Sequence, residues 1–401
     1  MSSLLTLLLQ IVVVVAAARA VGALSRRLGQ PAVVGEMVAG LLLGPTLFGR
    51  LTPQAAAALF PPASLELLNV ISQLGLVLFM FLVGSRLNSA HLRAHGRLVL
   101  LTSYVSMLLP FALGVGLGFL VSAQFSIPAE QLLPFVLFVG LSLSITAFPV
   151  LVRIVTEHDL QSTRLGTIAI ACAAFDDVTA WIALAIVTSL ARTGQASVVG
   201  PLAWLAAYAV AMLFVVRPLL AWLLRWLVDE DARLAVLLIA ALASAALTEW
   251  LGIHALFGAF FLGALMSRDI AEQQVRAERI EPLTVMIFLP LFFAFTGLRT
   301  NVYLLGSPTL MAETIAILAV AVLGKATGPF VSAGRLGFTR QETLALGVLL
   351  NARGLVELVV LNIGLEVGLL PPSLFAMLML MALTTTAMTS PLLSALGYAR
   401  R

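Results

Sequence analysis

The sequence predicts an all-α, polytopic membrane protein: thirteen transmembrane helices in two inverted six-helix repeats, with crossed discontinuous helices. Three observations carry that prediction. Of 401 residues, 61% are apolar and only 10% charged, and the mean hydropathy is +1.08, well beyond what a soluble domain carries. A hydropathy window of about 19 residues finds thirteen apolar spans. Motifs built on small residues recur in the same order in the two halves. The formal net charge of +4 does not point to nucleic acid, because the arginines lie in short loops between apolar runs, where they set topology. The single cysteine, Cys172, excludes an internal disulfide and offers no thiol metal site.

The spans lie near 3–24, 32–49, 66–86, 97–122, 132–156, 163–191, 199–227, 232–249, 252–268, 283–298, 310–333, 340–366 and 372–396. The first begins Met1-Ser2-Ser3-Leu4 without a basic leader, and Arg26-Arg27 follow it. It therefore reads as an uncleaved helix with its N-terminus outside. Sixteen arginines, among them Arg26, Arg27, Arg86, Arg153, Arg340 and Arg401, fall in odd-numbered loops and the C-terminal tail, against Arg50, Arg192 and Arg299 in even-numbered loops. That asymmetry places the odd loops and the C-terminus in the cytoplasm, as in a multi-pass protein of the cytoplasmic (inner) membrane. No folded segment is expected after span thirteen, hence no cytosolic regulatory domain.

Span three closes with Gly84-Ser85-Arg86-Leu87-Asn88 and span ten with Gly297-Leu298-Arg299-Thr300-Asn301, both Gly-x-Arg-x-Asn. Span two carries Gly35, Gly40 and Gly44, and span nine carries Gly252, Gly258 and Gly263. The common order suggests a first repeat over 1–192, a connecting helix over 193–231 and a second repeat over 232–401, turned upside down as in secondary transporters. Spans five and twelve then correspond, and both are interrupted. Span five contains Ser142-Leu143-Ser144-Ile145-Thr146-Ala147-Phe148-Pro149, where Pro149 removes a helix donor. Span twelve contains Asn351-Ala352-Arg353-Gly354. Matching discontinuities point to a binding site near the midplane, where freed carbonyls and half-helix ends offer partial charges. For Pro149 alone, a plain kink is the rival explanation.

The stretch Ala174-Phe175-Asp176-Asp177-Val178-Thr179-Ala180-Trp181 puts two acids inside span six. Each costs about 2.5–3.5 kcal/mol at a membrane-helix centre, and the pair rivals the net stability of a whole domain, about 5–15 kcal/mol. That cost favours an ion or proton site over a polar gap that serves only assembly. Neighbouring residues point about 100° apart on a helix, so the two acids take different roles. Lys325, the one lysine, lies inside span eleven. A buried ammonium needs a carboxylate, with Asp176 or Asp177 the candidates, unless it snorkels to the interface. Arg353 and Glu357 stand four apart as a self-neutralising, structural pair. Glu36, near the start of span two, is either a mouth residue or interfacial.

Across nearly its whole length the chain resembles the monovalent cation:proton antiporter-2 family of bacterial sodium/proton and potassium/proton exchangers and their plant relatives. The resemblance rests on Gly35-Glu36-Met37-Val38-Ala39-Gly40-Leu41-Leu42-Leu43-Gly44-Pro45, Phe175-Asp176-Asp177-Val178-Thr179-Ala180-Trp181, Gly252-Ile253-His254-Ala255-Leu256-Phe257-Gly258-Ala259-Phe260 and Asn351-Ala352-Arg353-Gly354-Leu355-Val356-Glu357-Leu358. It implies a transporter, not an enzyme, without a cofactor, that exchanges protons for Na+, Li+ or K+ in the lipid bilayer as a homodimer. It further implies a core domain with two crossed broken helices, a separate dimerisation domain, Asp177 as the ion-binding carboxylate and Asp176 as the partner of Lys325. Relatives usually carry Gly-Leu-Glu where this chain has Gly84-Ser85-Arg86, so no acidic mouth role carries over there. Three rivals are weaker. A sodium-coupled symporter lacks a further polar cluster, a cation channel lacks a continuous polar pore, and an intramembrane aspartyl protease needs its two Asp on different helices.

Overall fold

The computed structural model describes residues 3–85, 96–161, 163–193, 199–251, 254–266 and 279–398. All the long elements among them are helices, and ten are long and apolar enough to cross a membrane by length and composition. In chain order the first are α1 (Ser3–Arg27), α2 (Ala32–Leu43), α3 (Pro62–Ser85) and α4 (Gly96–Ser122), with two short helices between α2 and α3. The fifth expected span is two helices, α5 (Ala129–Ser144) and α6 (Phe148–Glu157). There follow α7 (Arg164–Thr193), α8 (Val199–Ala211), α9 (Arg217–Trp226), α10 (Glu230–Trp250), α11 (Ala255–Met266), α12 (Leu289–Leu298) and α13 (Pro308–Leu336). The twelfth span is again two helices, α14 (Arg340–Leu350) and α15 (Leu355–Glu366), before the closing α16 (Pro372–Ala395). The ninth span is the short α11, of 12 residues. Arg86 and Asn88 of the first Gly-x-Arg-x-Asn motif, and Gly252, lie outside the described residues.

Two wide π turns interrupt otherwise continuous helices, Met212–Val216 between α8 and α9 and Thr284–Phe288 before α12. Each is followed at once by a proline in the first turn of the next helix, Pro218 and Pro290. A proline has no N–H to return to the preceding turn, and the widened turn absorbs the missing bond without breaking the rod.

The helices sort into two packed groups. In the first, α1, α2, α3, α10, α11 and α12 lie against one another. The crossings are set by glycine: a Cβ on Gly40 of α2 would stand 1.9 Å from Ala294 O of α12, and one on Gly263 of α11 would stand 2.2 Å from Phe81 O of α3. With no apolar gain from leaving lipid, such backbone-to-backbone approach is what holds membrane helices together. In the second group, α4, α7, α13 and α16 surround the broken pairs α5/α6 and α14/α15. There the interior is Phe135, Phe138, Leu141, Trp181, Leu349 and Leu350, all buried. The exterior is as apolar as the core: Phe214, Trp222 and Trp226 of the α8–α9 rod and Ile239 of α10 are exposed, as a lipid-facing surface requires.

Candidate functional site at the crossing of two broken helices

Both interruptions expected from the sequence are helix breaks, and they meet. Beyond Ser144 the backbone extends, with Ile145 at φ −69° and ψ 140° and Ala147 at φ −86° and ψ 101°. Pro149 is not the breaker. It sits in the first turn of α6, where an N–H would have no intrahelical acceptor and the fixed φ favours a helix start. The second break passes through Gly354 at φ 158° and ψ −120°. A Cβ there would lie 2.5 Å from Val150 Cγ2, so both backbone shape and space call for glycine. The two extended pieces join where Ala147 N donates to Ala352 O at 3.1 Å, which satisfies main-chain groups at a depth where water cannot.

Four half-helix ends thus converge, two with free carbonyls and two with free amides. At the carbonyl end of α5, the buried guanidinium of Arg353 donates from Nη1 to Ser142 O at 2.7 Å and from Nη2 to Leu143 O. The same Nη1 donates to Glu357 Oε2 at 3.0 Å, so the expected i,i+4 pair forms, wholly buried. Thr386 of α16 fastens this break from the side: its hydroxyl donates to Arg353 O at 2.6 Å and accepts from Arg353 N at 3.2 Å.

The two acids of α7 face this crossing in unequal surroundings. Asp176 is saturated. Lys325 Nζ of α13 donates to its Oδ2 at 3.1 Å, Thr146 Oγ1 of the first break donates to the same oxygen at 2.7 Å, and Ser103 of α4 donates to Oδ1. Lys325 is fully buried, which rules out snorkelling and settles which acid it takes. Asp177, 1% exposed, has one weak partner: Phe148 N, the first amide of α6, donates to its Oδ1 at 3.4 Å. Among the described residues its Oδ2 makes no hydrogen bond, and at the second break neither do the buried Asn351 Oδ1, Arg353 Nε and Glu357 Oε1. A buried carboxylate oxygen without a donor is costly, and a proton or a desolvated monovalent cation removes that cost directly.

Glu36 stands apart from this cluster. It is buried in α2 within the other helix group, packed beside Gly22 of α1, and the charges acting on it are those of Arg153, Arg19 and Arg26. Cys172 is a buried free thiol of the core. Two contributors escaped the sequence reading, Ser103 and Thr386. A polar cluster at Thr102, Ser103 and Ser106 within α4 and the run Thr384-Thr385-Thr386 within α16 were the available signals, but serine and threonine in membrane helices commonly bond their own backbone, as Thr385 does to Met381 O at 2.9 Å.

A family model described as "Sodium/hydrogen exchanger, transmembrane" matches residues 12–395. The chain is 40% identical over 397 residues to the Na(+)/H(+) antiporter NhaS4 of Synechocystis, covering 98% of this chain and 97% of that one. It is 36% identical over 394 residues to cation/H(+) antiporter 18 of Arabidopsis thaliana, with 97% of this chain but 48% of the plant protein covered, so it spans about half the length of that relative. Among solved structures, the sodium proton antiporter MjNhaP1 from Methanocaldococcus jannaschii superposes with a TM-score of 0.74 over 99% of this chain and 98% of that one. The sequence identity is 13%, so this likeness speaks for the fold.

Proposed function

The chain belongs to the sodium/hydrogen exchanger family, and on that premise we propose that it is a secondary active antiporter in which Asp177 alternately holds a proton and a monovalent cation. The observation that carries this reading is the bare Oδ2 of a wholly buried Asp177 beside a fully partnered Asp176. One exchanging carboxylate suffices, because a cation and a proton compete for it and access alternates between the two faces. Na+, Li+ and K+ all fit a site of oxygen donors. The relatives' names favour exchange over the symporter and channel readings.

The moving part in this proposal is the group of α4–α7 and α13–α16, which slides against α1–α3 and α10–α12. Of the latter, α1, α2, α10 and α11, with the α8–α9 rod, form the interface of a homodimer. The inverted repeat within a thirteen-span chain is supported by reciprocal contacts of the glycine crossings. Gly40 meets Ala294 while Gly263 meets Phe81, and Gly297 meets Met37 while Gly84 meets Phe260. Each member of one contact maps onto its counterpart by the same shift, 223 residues for α2 onto α11 and 213 for α3 onto α12. By the arginine asymmetry the N-terminus lies outside and the C-terminus in the cytoplasm of the cell membrane.

Lys325 yields its proton as the cation enters, so two protons exchange for one cation and each cycle moves one charge, worth about 2.3 kcal/mol per 100 mV. Proteoliposomes loaded with a pH dye test the reading with sodium, lithium and potassium in turn. Cation-driven proton movement that vanishes in Asp177→Asn is expected, and wild-type rates in that variant overturn the assignment. Recordings on solid-supported membranes test the stoichiometry, and proton flux without a transient current refutes the two-proton cycle.

A further inference from the structure

The second motif, Gly297-Leu298-Arg299-Thr300-Asn301, takes no part in the chemistry at the crossing, yet its arginine is tightly engaged. Glu366 ends α15, the half-helix that starts at the second break. Its carboxylate accepts from Arg299 Nη1 at the end of α12 (3.3 Å), from Gln73 Nε2 of α3 (3.1 and 3.2 Å) and from Asn69 Nδ2 of α3 (3.0 Å). One turn nearer the crossing, Asn362 Nδ2 donates to Thr296 Oγ1 of α12 at 2.9 Å, and Asn362 Oδ1 accepts from Arg299 Nη1 at 3.4 Å. Every one of these bonds joins the two helix groups that the proposed cycle must slide apart.

We propose that this seam is a latch: it holds the outer path to Asp177 closed and parts when the site opens to that side. The inference rests on the alternating-access reading above. Three features favour a latch over a static weld. The Arg299 and Glu366 side chains keep 24% and 28% of their surface exposed, so water can take over each partner as the seam parts, and the net cost of parting is small. The glycine crossings within the first group have no such substitute, since their contact is close-packed backbone. Further, α15 runs unbroken from Leu355 to Glu366, so a shift at the crossing moves the Glu366 end as one rod. Arg299 grips two successive turns of that rod at once, at Asn362 and Glu366, which makes it the pivotal donor.

The test uses the full chain in proteoliposomes of known orientation. In a Cys172→Ser background, Asn69→Cys with Glu366→Cys is bridged by a short, cleavable bifunctional thiol reagent. Bridging is expected to stop exchange and cleavage to restore it. Separately, Glu366→Gln and Arg299→Gln are expected to raise, about fivefold, the labelling of a Thr296→Cys reporter by an impermeant maleimide added outside. The apparent KM for the cation should fall at the outer face and rise at the inner one, while Glu366→Asp restores most of the wild-type balance. A bridged protein that exchanges at the unbridged rate overturns the latch. So do Gln variants with unchanged labelling and unchanged KM on both faces beside an active wild type. A wild type that exchanges nothing overturns the antiport reading instead, and the labelling then still decides the seam.

Discussion

Each break has one buried base–acid pair beside it, and the two pairs differ in character. At the second, Arg353 and Glu357 lie on consecutive turns of one segment, and the guanidinium's Nη1 and Nη2 also donate to Ser142 O and Leu143 O, while Arg353 Nε and Glu357 Oε1 have no hydrogen-bond partner among the described residues. At the first, Lys325 and Asp176 come from two different helices and lean on Thr146 and Ser103. Beside them Asp177 has a long bond to Phe148 N and an oxygen with nothing to accept. A buried carboxylate held by a guanidinium of its own segment is a fastener even with one oxygen unmet. Asp177, with an unmet oxygen and no ion-pair partner among the described residues, is left to bind whatever proton or cation arrives. The same break of a membrane helix therefore yields a structural joint or an exchange site according to whether the chain itself supplies the opposite charge.

Asp177→Asn is the sharpest way to break that contrast. Exchange should fall by at least about a hundredfold, as for loss of a group that acts only by cycling its charge, while the thermal midpoint of the purified protein holds or rises because an unpaired buried charge has been removed. A drop in the midpoint would mean Asp177 is a fastener too. Arg353→Ala should do the reverse in kind. It strands a buried Glu357 and two carbonyls, destabilising by about 3–5 kcal/mol, and Arg353→Met with Glu357→Leu should recover a large part in the same melting assay. Gly354→Ala should cost about 1–3 kcal/mol through the contact with Val150 and the backbone it forbids, with exchange lost in proportion to folded protein. Thr386→Val, the mildest, should lower the midpoint by the equivalent of about 1 kcal/mol. If Thr386→Val instead removes exchange at full stability, the second break is no static joint.

The sequence displayed the costly features well. Asp176, Asp177 and Lys325 stand out because charge inside an apolar span needs an explanation, and the interruptions of spans five and twelve are visible as Ser142-Leu143-Ser144-Ile145-Thr146-Ala147-Phe148-Pro149 and Asn351-Ala352-Arg353-Gly354. Pro149 was the obvious mark of the first break, but the helix has already stopped before it, and the proline opens α6. What remained hidden was partnership. The resemblance implies Asp176 for Lys325, but nothing local assigns that pair across 149 residues, or aims Arg353 at carbonyls more than 200 residues earlier. Ser103 and Thr386 are ordinary residues of apolar helices until packing brings an acid or a bare amide to them. Glu366 and Asn362 escaped notice for the same reason, since a polar residue near a span end is expected to meet water.

The joint between the two breaks, Ala147 N to Ala352 O, consists of main-chain atoms alone. It therefore has no side chain through which substitution can reach it. Both alanines are fully buried, so bulk is limited at these positions, yet glycine or serine leaves the bond in place. Only proline at 147 deletes the donor. A saturation scan would thus record the most central contact of the crossing as two small-residue sites, with proline at 147 the one change that removes the bond itself. Sequence drift among descendants of this chain can rewrite the ion site around that joint without ever loosening it.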